Sequence, residues 1–187
     1  MHISDGIIDP GICIAAHAVS VGWIYLAGRK MPLEEIPRMG MVGAALFVAS
    51  LLHFPVAGAS VHLGLFGIAG IMLGRRAFPA VYTALLLQAL IFQHGGLLTL
   101  GVNALNMGAG ALVAWLIWEI RKLSESFRAL AAGFAGIIVP TALMALAFNL
   151  SGYGRGIFYL FAAYLALAVM EALITLTSLR FLKRILN

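Results

Sequence analysis

Apolar residues run along this chain in blocks rather than in alternation. Seven blocks can be read, at 11–28, 39–57, 60–73, 78–92, 98–118, 129–149 and 157–179, each rich in Leu, Ala and Gly and separated from the next by charges or turn residues. Every backbone N–H and C=O in lipid must find a partner, and these blocks lack the period-two pattern of barrel strands, so each predicts a helix. A hydrocarbon core about 30 Å thick takes roughly 20 apolar residues per helix. A chain of 187 residues therefore has room for six or seven spans and no separate extramembrane domain. The expected fold is all-α, a polytopic membrane protein forming a single domain over 1–187.

Composition supports the same class. The chain is 63% hydrophobic and 10% charged, with a mean hydropathy of +1.03, whereas soluble domains carry about 25% charged residues. The basic residues decide the number of spans. Arg29, Lys30 and Arg38 follow the first block, Arg75 and Arg76 the third, and Arg121, Lys122 and Arg128 the fifth; Arg180, Lys183 and Arg184 close the chain, and Arg155 alone falls in the other connections. Seven spans put eleven of these twelve on one side, which the positive-inside rule makes cytoplasmic, with the N-terminus outside and the C-terminus inside. Merging two blocks scrambles that alternation. The pI of about 9.8 thus reports membrane orientation, and no nucleic-acid partner is expected. Trp23, Trp115 and Trp118 lie toward the cytoplasmic ends of their blocks and read as interfacial anchors in contact with lipid. The single cysteine, Cys13, excludes an internal disulfide or a multi-cysteine metal cage and reads as a packing residue.

Candidate chemistry begins at the first residues, MHISDG. They carry no positive region of a secretory signal, so Met1 is expected to be the mature N-terminus. The α-amine of Met1, the amide nitrogen of His2 and the imidazole Nδ1 of His2 can close two fused chelate rings around one ion. One further imidazole completes a square-planar set of four nitrogens, the geometry that suits Ni(II) or Cu(II). His62 is the candidate, because it opens the Gly-broken third block on the side where the topology puts the N-terminus; His53 and His94 also lie toward that side and stay open as alternatives. His17, inside the first block, reads as a histidine bonded to a backbone carbonyl. The third block is broken by Gly64, Gly67, Gly70 and Gly74, a pattern that lines binding sites near the midplane or lets helices pack closely. Gln88, Asn103 and Asn106 are amides at membrane depth, fit to glue helices or to orient ligands.

MHISDG at 1–6, FPVAGASVHLG at 54–64 and QALIFQHGGLLTLGVNALNMG at 88–108, in that order, resemble the CbiM/NikM family, the substrate-binding components of energy-coupling-factor transporters for cobalt and nickel. The resemblance implies metal ligation by the Met1 amine, the His2 amide and imidazole, and His62. It also implies that residues 1–10 tuck into the helical bundle from outside, with Asp5 and Gly6 shaping the tuck, and that Gln88, Asn103, Asn106, His53 and His94 are candidates for the surrounding shell. Where the family pattern usually has Asn, this chain has His53, and His94 also departs from it. The metal is then transported substrate, Ni(II) or Co(II), with no catalytic cofactor and no enzymatic activity. The implied partners are a membrane coupling subunit, two cytoplasmic ATPases and a small auxiliary membrane subunit, in a prokaryotic plasma membrane. The chain has no GxxxxGK[ST] loop of its own, and Gly40, Ala44, Ala45 and Ala49 would admit a close partner helix.

Two other readings compete. Gly58-Ala59-Ser60 is similar to the start of the rhomboid serine motif, but Val61 replaces its second glycine, and Ser60 and His62 on one helix would point apart. A vitamin-binding component would want aromatic pocket walls, which the tryptophans do not offer. Four nitrogens in a plane, and the Irving–Williams order, favour nickel over cobalt.

Overall fold

In a computed structural model, residues 2–56, 59–153 and 157–186 are described, with side chains for all of these but 55, 56, 59, 60, 157–159 and 186. The expectations placed on Met1, Gly58, Arg155 and the side chain of Ser60 lie outside what is described. Seven α-helices form within these residues: α1 (Pro10–Gly28), α2 (Glu35–Ala49), α3 (Phe66–Leu73), α4 (Ala77–Phe92), α5 (Leu100–Trp118), α6 (Glu125–Leu150) and α7 (Ile157–Leu186). α1, α5, α6 and the stretch Leu160–Ile185 of α7 are long and apolar enough to cross a membrane. α2, α3 and α4 have 15, 8 and 16 residues.

The chain is not helical throughout. Residues read as the end of the second apolar block and the start of the third form an antiparallel hairpin, β1 (His53–Val56) and β2 (Ala59–His62), with His53 opposite His62. Pro55 cannot donate to a helix and is tolerated on an edge strand. Short apolar runs of this length do not distinguish strand from helix by pattern alone. The helix of the third block is accordingly confined to Phe66–Leu73. A strand also removes the spacing argument made for Ser60 and His62, since alternate residues of a strand share a face.

α5 is the central helix, contacted by α1, α3, α4 and α6, while α7 lies along α6 and touches β2. Large apolar residues remain exposed on the outside, Ile14, Val21 and Leu26 on α1 and Leu165, Val169 and Leu173 on α7, as a lipid-facing surface requires. The glycines of α3 serve packing: a Cβ at Gly67 would stand 2.6 Å from the backbone of Gly133 on α6, and one at Gly70 would strike the carbonyl of Ala111 on α5.

The bundle has two chemically different ends. At one, Arg76 pairs with Glu35, Arg128 donates to the Trp118 carbonyl at 2.5 Å with its guanidinium 4.4 Å from the indole ring, and Lys183 meets Glu125 at 2.5 Å. The C-terminal ends of α2 and α4 and the N-terminal ends of α1 and α5 meet at the other, together with the hairpin and the first residues of the chain. Asp9 starts α1 there, its carboxylate accepting from the Gly11 and Ile12 N–H ahead of Pro10.

Candidate metal site

The first residues are fastened to α5 by main-chain hydrogen bonds that a single amide supplies. Asn103 accepts from the Ile3 N–H and donates to the Ile3 carbonyl, both at 2.9 Å, as a neighbouring strand would. Thr99 adds its hydroxyl to the same carbonyl at 2.7 Å. Two residues on, the Asp5 carboxylate accepts from the Thr99 N–H at 2.8 Å and the Leu98 N–H at 3.3 Å, at the N-terminus of α5 where a negative charge is favoured. Local desolvation by the neighbouring chain works against this exposed carboxylate, but the N–H and hydroxyl donors of Thr99 and the Leu98 N–H outweigh it and hold Asp5 below its ordinary pKa. Gly96 is required for the approach, since a Cβ there would collide with the Asp5 carboxylate. Ile3 and Ile8 are buried beside these contacts. Replacing Asn103 by Leu leaves the Ile3 N–H without its acceptor while Thr99 still serves the carbonyl. The expected result is a loss of about 1–3 kcal/mol in stability, read as a lower melting temperature of the purified protein in detergent.

This docking delivers His2 to His62, and the surrounding hydrogen bonds assign the tautomer of each ring. The Ser50 hydroxyl donates to the Phe47 carbonyl at 2.6 Å, so its oxygen accepts from the Gln88 amide nitrogen at 2.6 Å. Gln88 then turns its oxygen to His2 Nε2, also at 2.6 Å, which makes that nitrogen the donor and leaves the lone pair on Nδ1. His62 is assigned in the same way: Nδ1–H donates to the Leu63 carbonyl at 3.0 Å, leaving the lone pair on Nε2. Burial, with His62 and His94 nearby, holds the His2 imidazole well below its ordinary pKa, so it stays neutral.

The two nitrogens left with lone pairs, His2 Nδ1 and His62 Nε2, face each other at 3.0 Å. Two lone pairs directed at one point are what a shared cation takes from a pair of imidazoles. Imidazole nitrogens bind divalent first-row ions at about 2.0–2.1 Å, so neighbouring positions of a square-planar set lie about 2.9 Å apart. The observed separation matches. A small cavity lies against the pair, lined by His2, His62, Gln88 and Ser50 and by the apolar Leu46, Leu85 and Met107.

Of the other expected residues, Gln88 and Asn103 act directly on this arrangement and Asn106 does not: its Nδ2, one turn further along α5, has no hydrogen-bond partner among the described residues. His94 and His53 do converge on the site, with ring centres 4.1 Å from His2 and 5.6 Å from His62 respectively. Burial lowers the His94 pKa below its ordinary value, with His53 adding to the effect. His17 bonds the Leu97 and Leu98 carbonyls at 2.9 and 3.0 Å.

Three residues of the site were not anticipated. Ser50 and Thr99 are small hydroxyl residues without any spacing signature. Glu171 is different: fully buried on α7, it accepts from the Gly64 N–H at 2.5 Å and the Leu65 N–H at 2.9 Å, directly after His62 and at the start of α3. It is the sole acidic residue inside an apolar block of the sequence, a signal that points to function in a membrane protein.

Residues 2–187 match the family described as the cobalt uptake substrate-specific transmembrane region. A Haemophilus influenzae protein that carries a metal-transport name is 38% identical over 74% of this chain and 68% of its own length. The fused nickel transport protein NikMN of Rhodobacter capsulatus is 32% identical over 80% of the chain, and the cobalt transport protein CbiM of Geobacter sulfurreducens 35% over 83%. The chain spans about half the length of the last two, 47% and 48%. A crystal structure of a transition metal transporter shares the fold with a TM-score of 0.85 and 24% identity, over 99% of this chain and 93% of that one.

Proposed function

Since the chain belongs to the cobalt uptake substrate-specific transmembrane family, we propose that it is the metal-binding membrane component of a transporter that takes up Ni(II) or Co(II). The ion is held by the His2 amide nitrogen and Nδ1, by His62 Nε2, and by the α-amine of Met1. The single observation that carries this reading is the 3.0 Å separation of two imidazole nitrogens whose other nitrogens are already committed as donors. In a fused amine–amide–imidazole chelate the amide lies between the other two donors, so the fourth ligand stands opposite the amide and beside the His2 imidazole. A separation of neighbouring rather than opposite positions is what that ligand order demands. Four nitrogens in a plane favour nickel.

The same reading places the metal site outside and the basic end at the cytoplasm, because the site lies opposite the end where Arg76, Arg128 and Lys183 gather. Seven segments cross, with the eight residues of α3 reaching about 12 Å and the hairpin completing that passage where it lines the site. Energy comes from elsewhere in the assembly: a membrane coupling subunit, two cytoplasmic ATPases and a small auxiliary membrane protein, within a prokaryotic plasma membrane.

The test is His62→Ala. Nickel affinity of the purified full chain is expected to fall by at least tenfold, about 1.4 kcal/mol, while His17→Ala, remote from the ion, leaves it in place. Equal affinity of His62→Ala and wild type in calorimetry overturns the assignment.

A further inference from the structure

His53 and His94 are not required for four nitrogens around one ion, yet the structure sets them in a row with the inner pair. The His94 ring stands 4.1 Å from that of His2 and 28° from parallel; His53 follows, 5.1 Å from His94 at 27°. Exposure rises along the row, from buried His62 through half-buried His94 to exposed His53. His53 sits there because the hairpin pairs it with His62, and His94 because the α4–α5 connection places it over the docked N-terminal segment.

The orientation of His94 determines what it can do. An ion in the fused chelate rings lies close to the plane of the His2 imidazole, so a ring stacked on that imidazole stands over an open face of the ion, not at its edge. Square-planar ions exchange ligands by accepting a fifth donor on that open face. The ligand atoms of His2, His62 and His94 all lie within 4.8 Å of one another, close enough for a donor on that face to engage. His53 Nδ1 lies 3.0 Å from the Leu51 carbonyl; donating there, it leaves Nε2 to bind metal. Two imidazoles that share an ion keep their ring centres about 4.5–6.5 Å apart, given bonds of about 2 Å, and the 5.1 Å between His53 and His94 falls in that range. Two dications this close repel strongly, so the outer and inner positions are filled in turn rather than together.

We propose that His53 and His94 form an outer station that captures a divalent transition-metal ion at the mouth of the site and passes it across the open face of the His2 chelate to the inner nitrogens. The transfer is ligand exchange: an imidazole–metal bond breaks as an inner nitrogen–metal bond forms, the oxidation state is unchanged, and the amine and amide protons pass to solvent. The inference rests on the inner site proposed above.

The experiment follows nickel loading, and nickel release to excess chelator, by the visible absorbance of the square-planar ion in the full chain. In His53→Ala/His94→Ala, loading and release are both expected to slow by at least about tenfold while their ratio changes far less, because a station on the exchange path lowers the barrier in both directions. The corresponding double glutamine variant keeps the volume and serves if the alanines do not fold. In a His62→Ala background a weaker nickel site should remain and disappear when His53→Ala is added. Unchanged rates overturn the station, as does faster release with unchanged loading, which would make His94 an inner ligand. A residual site indifferent to His53→Ala does so too. Failure of the inner-site reading is told apart by His62→Ala alone, which would then leave both absorbance and affinity as in wild type.

Discussion

Adding residues ahead of Met1 is expected to abolish nickel binding even though His2 and His62 remain intact, while the same tag after Asn187 is harmless. An extension turns the α-amine into an amide, a far weaker ligand, and opens the first of the two fused chelate rings. It also adds bulk where Ile3 is fully buried and Asn103 already occupies both its main-chain groups. Inserting one Gly between Met1 and His2 separates these effects. The peptide then offers four nitrogens by itself, so nickel is expected to bind without His62, while uptake with the proposed partner subunits is expected to fail. Calorimetry on the tagged and inserted proteins, with mass spectrometry to show that the extension is retained, is the check. Normal nickel affinity in an N-terminally extended protein rules out the amine as ligand.

Glu171→Leu is expected to be the most damaging single change to stability. The carboxylate is fully buried and holds the N–H groups of Gly64 and Leu65, and Leu65 sits in the left-handed region at φ 51°. Removing it leaves two buried donors unpaired, at about 1–3 kcal/mol each, and frees the turn that carries His62. Melting temperature and nickel affinity should therefore fall together. Glu171→Gln keeps one acceptor oxygen and should recover part of both. A Glu171→Leu protein that melts like wild type would show that these bonds are not needed to hold the turn.

What the sequence made legible follows from which interactions leave a pattern. The membrane class, the seven helices, and the bounds of α1, α5 and α6 and the start of α7 within about four residues follow from the long apolar blocks, while α7 continues seven residues past the last block, to Leu186. The hairpin was hidden because four-residue strands in an apolar context have no period of their own, and what sets them is Pro55 and the pairing of His53 with His62. At the site, Gln88 and Asn103 stood out because polar groups are rare in such blocks and His2 because it adjoins the terminal amine, while position favoured His62 over His53 and His94 only weakly and the family resemblance carried that preference. What sets His62 apart in the structure is the direction of its ring, held by the Leu63 carbonyl so that Nε2 faces His2 Nδ1, with His2 held in turn by Gln88 and Ser50. Glu171 was visible as a lone acid in the last block, but its target lies more than a hundred residues earlier in the chain, and spacing along one helix carries no information about that.

The fastening of Ile3 and Asp5 to α5 has a thermodynamic side. Fixing a residue's backbone costs about 1–2 kcal/mol in conformational entropy. Here Asn103, Thr99 and the Leu98 N–H hold the segment through bonds in which no metal takes part. The ordering is charged to folding, so an arriving ion meets preorganised donors and keeps more of its binding energy as affinity. The same economy makes emptying difficult. On the proposed reading, an ion held by so rigid a set leaves slowly unless those bonds are broken or the rings turned, and emptying becomes the step on which work from outside would act.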